Sequence, residues 1–413
     1  MDILRLITAG SVDNGKSTLI GRLLHDSKSV LIDQLEAIAQ QGRQVAEGCP
    51  DLAMLTDGLR AEREQGITID VAYKYFSTPV RKFILADAPG HVQYTRNMVT
   101  GASNADLAVI LINARHGIVE QTNRHTIIAS LLGISHLVVA VNKMDLVGYS
   151  RDIFEQIVTD FQGLVQALNL SSVTFIPVSA LRGDNVVERS ENMAWYVGDT
   201  LLHYLEQVEI PERVNLQKAR FPVQYVIRPQ TEELPDYRGY AGKIISGIYR
   251  KGDKVKVLPS GVESTVKAIE IAAKEVEEAF APQSVVLHLA DDVDVSRGDV
   301  IVKEDDLPRT DQELEVIICW MDSKPLVPGN KYLLQLNSTV VKAMVKEISY
   351  RMDVVSLEKE PVPGQAGLND IVKAIIKTAR PVPHDTYTRL RENGGAILID
   401  ESSLVTVGAC MIQ

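Results

Sequence analysis

Cysteine is scarce: Cys49, Cys319 and Cys410 are the three in 413 residues, far apart and without metal-ligand spacing. That pattern offers neither a disulfide scaffold nor a zinc ribbon, and reads as free thiols in a reducing cytosol. Long hydrophobic runs are missing too. No stretch approaches the ~20 apolar residues that span a bilayer, and Met1 leads almost directly into a hydrophobic strand, leaving no room for a signal peptide. A cytoplasmic protein without membrane contact is expected. An excess of positive charge is also lacking: 43 Lys and Arg against 54 Asp and Glu give a net charge of −11. Tracking a long nucleic acid takes a basic face, because neutralised phosphates supply most of the affinity. No nucleic-acid partner is expected.

What is present is an alternation that changes character halfway. Residues 3–9 read as a strand entering a Gly-rich loop, and 17–24 as the helix beyond it. Apolar strands are expected at 82–87, 107–113, 137–142 and 173–178, with helices near 92–103, 120–132, 151–168 and 199–207. Such alternation specifies an α/β domain on a mostly parallel, doubly wound sheet. Residues 73–77 add one antiparallel edge strand. Beyond Ile210 and Pro211, helical periodicity fades and short β-rich runs recur between Gly, Pro and Asp. The runs at 221–227, 240–249, 254–258, 285–289, 316–320, 332–336, 340–348, 370–378 and 396–400 predict β-barrels. The charged stretch 303–312 marks a boundary between two of them. The expected domains are 1–211, a nucleotide-binding α/β domain, then all-β barrels at 212–308 and 309–413.

Five short motifs stand in one order in the first domain. Gly10, Ser11, Val12, Asp13, Asn14, Gly15, Lys16, Ser17 and Thr18 carry the pattern G-x-x-x-x-G-K-S, between a strand and a helix. Glycines let the backbone curl so that N–H groups face phosphate oxygens, and the helix N-terminus adds partial positive charge. Lys16 is expected to bridge the β- and γ-phosphates, and the Ser17 hydroxyl to ligate Mg²⁺. Asp87, at the end of its strand, supplies a carboxylate to the same ion. Gly90 follows, where a backbone N–H can meet the γ-phosphate and a side chain would block its approach. Thr68, within residues 63–69, has a hydroxyl that completes the metal shell only with triphosphate bound, so its loop senses the γ-phosphate. His91 is expected to position the attacking water, with proton acceptance left open. His25, His116, His125 and His136 read as structural.

The remaining two motifs choose the base. Asn142, Lys143, Met144 and Asp145 follow an apolar strand. The Asp145 carboxylate accepts from guanine N1–H and its 2-amino group; adenine has neither donor and would leave it unpaired. The Lys143 stem lies along the base face, and Asn142 braces neighbouring loops. Ser179, Ala180 and Leu181 follow another strand and present a backbone N–H to guanine O6. The expected ligands are therefore GTP or GDP with Mg²⁺.

These motifs and their order resemble the translation-factor branch of GTPases, the elongation factor Tu and elongation factor 1A group. Residues 238–247 and 251–260 look like that group's second-domain barrel. Within the branch the chain most resembles the GTPase subunit of bacterial sulfate adenylyltransferase, the CysN type, through residues 10–28, 61–73, 93–98, 183–187, 193–196 and 221–229. Asn14 stands where an acidic residue or histidine is more usual, Ala88 where threonine is common, and Asn113 where Asp is common. The resemblance implies that ATP and sulfate become adenosine 5′-phosphosulfate and pyrophosphate on a separate small subunit of the CysD type. GTP hydrolysis on the present chain would drive that reaction, within a heterodimer or higher hetero-oligomer serving cysteine biosynthesis. No second P-loop occurs, so the adenylylsulfate kinase domain fused to some relatives is not expected within this sequence. The alternative is an elongation-factor-like GTPase delivering aminoacyl-tRNA, and a third reading is a nucleotide-dependent scaffold. Residues 26–66, with a helix expected over 33–45 and a turn at 48–51, are expected to face the catalytic subunit together with residues after His91.

Overall fold

A computed structural model describes residues 2–29, 44–46, 49–50, 52–55, 62, 68–211, 214–229, 236–361 and 364–413. Two units make up the chain: 1–210 with 354–358, and 211–353 with 359–413.

In the first unit β1 (Ile3–Ala9) enters α1 (Lys16–Asp26), and the small pair β2 (Gln44–Ala46) and β3 (Cys49–Pro50) follows. Next come β4 (Ala72–Ser77), β5 (Lys82–Asp87), α2 (Thr95–Ala102), β6 (Leu107–Asn113), α3 (Glu120–Leu131) and β7 (His136–Asn142). The unit closes with α4 (Arg151–Ala167), β8 (Ser172–Pro177) and α5 (Leu201–Gln207). The sheet order is β4-β5-β1-β6-β7-β8. Only the β4–β5 pair is antiparallel. Every residue of β6 is buried, as a strand covered on both faces requires. At the edge, Tyr73 and Tyr75 of β4 alternate outward. Parallel register sets Thr8 opposite Asp87 and Asn113 opposite Asn142. The loops after β1, β5, β7 and β8 therefore leave the sheet at one edge, its carboxyl end, where such sheets bind ligands.

The predicted helix over 33–45 falls largely outside the described residues, and its last two residues lie in the strand Gln44–Ala46 instead. Of the expected turn, residues 48 and 51 lie outside the described residues, and Cys49–Pro50 is a strand. No helix among the described residues is long and apolar enough to cross a membrane.

Among the described residues, the second unit is all β apart from one short helix. Its first half holds β9 (Arg220–Ile227), β10 (Gly239–Lys243), β11 (Ile248–Arg250), β12 (Lys254–Leu258) and β13 (Val262–Ile271). β14 (Lys274–Val276), β15 (Glu278–Phe280), β16 (Ser284–Leu289) and β17 (Val300–Lys303) complete it. The order β12-β17-β9-β10-β16-β13 closes through β12–β13 into a barrel. Its second half holds β18 (Arg309–Trp320), β19 (Lys331–Leu336), β20 (Thr339–Met352), β21 (Lys359–Glu360), β22 (Ile371–His384), α6 (Arg391–Gly394), β23 (Gly395–Ile399) and β24 (Thr406–Ile412). Here β19-β23-β24-β18-β22-β20 closes through β19–β20. Each barrel fills its interior with its own apolar side chains, around Phe221 and Tyr249 in one and around Trp320 and Leu334 in the other. Arg220, fully buried, reaches from the first barrel to Asp385 of the second (Nε to Oδ2 2.9 Å). The fold is thus the expected α/β GTPase domain followed by two all-β barrels.

Candidate functional site

The loop of residues 10–15 curls through three positions of positive φ, Gly10 (149°) among them. Asp13 has φ 63° and Gly15 has φ 85°. A Cβ on Gly15 would also stand 2.5 Å from the Asn142 amide nitrogen, so glycine is required twice over. Gly15 caps α1 without any side-chain hydrogen bond, leaving the first-turn N–H groups to face the loop's concavity. Lys16 is buried, and its Nζ donates to the carbonyls of Gly10 (3.0 Å) and Ser11 (3.0 Å). Burial pulls its pKa down to about 8, while Asp87 and Asp13 pull it partly back. A cation held out of water with few compensating charges is a strong attractor for phosphate.

The three expected metal ligands come together. Ser17 Oγ lies 3.5 Å from Thr68 Oγ1 and 3.5 Å from Asp87 Oδ2. Asp87 is 1% exposed, and the Thr8 hydroxyl donates to its other oxygen at 3.2 Å. Gly90 lies against the phosphate loop, where a Cβ would stand 2.8 Å from the Gly10 carbonyl. The backbone after Thr68 is anchored from two sides. The buried Glu62 carboxylate accepts from the N–H groups of Ile69 (3.0 Å) and Asp70 (3.3 Å), and Asn97 donates to the Ile69 carbonyl (2.7 Å). Residues 63–67 of the expected switch lie outside the described residues, as do most of 26–66. His91 is half-buried beside Gly90; its Nδ1 accepts from the Gln93 N–H (3.2 Å), and its ring stands tilted to Tyr94.

At the other end, Asn142 ties two loops together. Its Nδ2 donates to the Asn14 carbonyl (2.8 Å), and its Oδ1 accepts from the Ala180 N–H (2.9 Å). The Asn14 side chain itself donates to the Leu111 carbonyl (2.7 Å), so the unusual residue there serves as a strut. Lys143 takes a left-handed φ of 65°, a strained conformation of the kind that gathers at functional sites. Asp145 accepts from the Ser179 hydroxyl at 2.7 Å. The N–H groups of Ser179 and Ala180 are engaged internally, with Asp184 and Asn142 respectively. Asn113 accepts from the Arg115 N–H (3.0 Å), which a neutral amide does as well as a carboxylate.

Two supports were not evident from the sequence. His125 on α3, fully buried, accepts from the Gly10 N–H through Nδ1 at 3.0 Å. Burial lowers its pKa to about 3, with Lys16 and Arg124 adding to the effect, so the imidazole is neutral. Arg22 on α1 donates to the carbonyls of Ala180 and Leu181.

Residues 1–212 match the elongation factor Tu GTP-binding domain family, and 313–413 match the GTP-eEF1A C-terminal domain-like family. The chain is 50% identical to sulfate adenylyltransferase subunit 1 of Aliarcobacter butzleri, covering all of this chain and 87% of that one. The same protein of Bacteroides fragilis is 50% identical, covering 100% and 86%. The chain belongs to the sulfate adenylyltransferase subunit 1 family. The bifunctional enzyme CysN/CysC of Mycobacterium tuberculosis is also 50% identical, over 99% of this chain and 67% of its own length. The phosphate loop and the Asn142–Asp145 loop both stand on the carboxyl edge of the sheet of this GTP-binding domain.

Proposed function

We propose that this chain is the GTPase subunit of a heteromeric, cytoplasmic sulfate adenylyltransferase. GTP hydrolysis here drives synthesis of adenosine 5′-phosphosulfate and pyrophosphate from ATP and sulfate on a small CysD-type partner. The observation that carries the reading is half-identity to subunit 1 proteins across the whole chain, together with a phosphate loop and a guanine-type loop on one sheet edge. The corresponding domains are 1–211, 212–308 and 309–413.

In this reading Lys16 and N–H groups within residues 11–18 hold the phosphates, with the Gly10 N–H taken by His125 beneath them, and Gly90 lets the γ-phosphate approach. The Thr68 hydroxyl and the Asp87 carboxylate each lie 3.5 Å from the Ser17 hydroxyl. These hard oxygen donors fit Mg²⁺. The ion would neutralise charge on the β- and γ-phosphates. Because the Gln93 N–H can only donate, His91 Nδ1 accepts, which leaves Nε2 as the ring nitrogen not used by that turn. His91, held by that contact beside Gly90, orients the attacking water, with proton acceptance left open. Asp145 reads guanine N1–H and the 2-amino group.

The test is co-purification with the small subunit, followed by assay of adenosine 5′-phosphosulfate with GTP, with a non-hydrolysable analogue and without nucleotide. Product that accumulates only with hydrolysable GTP is expected. Equal product in all three would reject the coupling, and specific retention of aminoacyl-tRNA would favour the delivery reading.

A further inference from the structure

We propose that Arg22 is a positioning residue for guanine selection: a side chain on the phosphate-binding helix sets the carboxylate that reads the base. The inference rests on the guanine-site reading above. Arg22 lies six residues beyond Lys16 on α1, and its side chain is 14% exposed. All three guanidinium nitrogens are committed. Nε donates to the Ala180 carbonyl (3.2 Å), Nη2 donates to the Leu181 carbonyl (2.6 Å), and Nη1 pairs with Asp26 (3.5 Å).

A trans peptide places its carbonyl and its N–H on opposite sides. Holding the Leu181 carbonyl toward α1 therefore turns the Arg182 N–H the other way, where it donates to Ser179 Oγ at 3.2 Å. The Ser179 hydroxyl has one proton, and it goes to Asp145 Oδ1 at 2.7 Å. The path from Arg22 through the Leu181–Arg182 peptide and the Ser179 hydroxyl ends on the base-reading carboxylate. Holding the Ala180 carbonyl fixes the direction of the Leu181 N–H in the same manner. Two carbonyls on successive peptides need donors fixed in a planar fork, which arginine supplies and the single ammonium of lysine does not. Guanine needs both Asp145 oxygens in one plane, so a carboxylate free to rotate loses selectivity before it loses phosphate affinity.

The test is equilibrium competition among GTP, GDP and inosine triphosphate on the full chain and on Arg22→Ala, Arg22→Lys, Ser179→Ala and the Arg22→Ala/Ser179→Ala double variant. Arg22→Ala should reduce the preference for GTP over inosine triphosphate by about tenfold, the scale of one lost charge-assisted hydrogen bond. The GTP-to-GDP affinity ratio should stay unchanged. Arg22→Lys should recover part of the preference. The double variant should be no worse than the more affected single one, because both cut one path. Should Arg22→Ala not fold, Arg22→Lys and Ser179→Ala carry the same readout. An unchanged preference in the Arg22 variants, or additive losses in the double variant, overturns the role of Arg22 provided Asp145→Asn loses guanine selection. If Asp145→Asn keeps it, the guanine-site reading itself fails and the inference falls with it.

Discussion

The two ends of the nucleotide site are built differently. At the base end Asn142, Ser179 and Arg22 pin a short loop by five hydrogen bonds of 3.2 Å or less to backbone or carboxylate groups. At the phosphate end Thr68 meets Ser17 only at 3.5 Å, and His91 contacts its own following turn. Side-chain struts from separate elements preorganise the first end, which in the proposed reading selects the base without moving. At the second end Glu62 and Asn97 hold the backbone just after Thr68. The Thr68 hydroxyl and the His91 ring make only long or local contacts, as suits side chains that a γ-phosphate would order. Recognition and sensing thus separate along one sheet edge.

That contrast can be broken at either end. The largest effect is expected from Asp145→Asn, which should cut discrimination of GTP against ATP by roughly 10⁴, read as a ratio of dissociation constants. Phosphate-end behaviour should survive in that variant. His91→Ala should slow single-turnover hydrolysis by roughly 10²–10⁴ while leaving GTP affinity within experimental scatter. A loss of affinity in place of rate would move His91 from sensing to binding.

Lys16 sharpens the contrast through pH. Its pKa of about 8 lies below the usual lysine value because of burial, and phosphate oxygens beside it raise the value again. Below pH 8 the lysine is already charged and binding takes up no proton. Above pH 8 the complex must gain one, so GTP affinity should fall by up to about tenfold per pH unit until the bound-state pKa is reached. Calorimetry near pH 9 in two buffers of different ionisation enthalpy counts that proton, and Lys16→Ala should abolish this contribution along with most triphosphate binding. The smallest effect is expected from His125→Ala. It leaves the Gly10 N–H without its partner beneath the phosphate loop and should weaken GTP and GDP together by about tenfold.

Motif spacing was enough to place four loops on one edge, because parallel strands deliver their following loops to the same side, and Thr68 joins them just ahead of the antiparallel β4. The supports were not legible for a physical reason: their partners are backbone groups. Nothing in residues 120–131 marks His125 as the acceptor for an N–H 115 positions away. Arg22 reads as an ordinary polar residue on an amphipathic helix until the Ala180 and Leu181 carbonyls appear beside it. Glu62 lies six residues before Thr68, yet it acts through the N–H groups of Ile69 and Asp70. In the barrels, the strand Thr406–Ile412 has no counterpart among the β-rich runs that the sequence predicts. Gly408 interrupts its pattern because the Ile318 and Trp320 side chains occupy the space above it, 3.1 and 3.3 Å from where a Cβ would stand. The residues at 44–46 show the opposite failure, where local helical pattern lost to strand pairing with Cys49–Pro50.

Amide hydrogen exchange with GDP and with a non-hydrolysable GTP analogue tests the division of labour most directly. Amides of residues 142–145 and 179–182 should be equally protected in both complexes, while Thr68, Gly90 and His91 gain protection only with the triphosphate. Protection that rises at both ends together, or at neither, would contradict a rigid base reader joined to a separate γ-phosphate sensor.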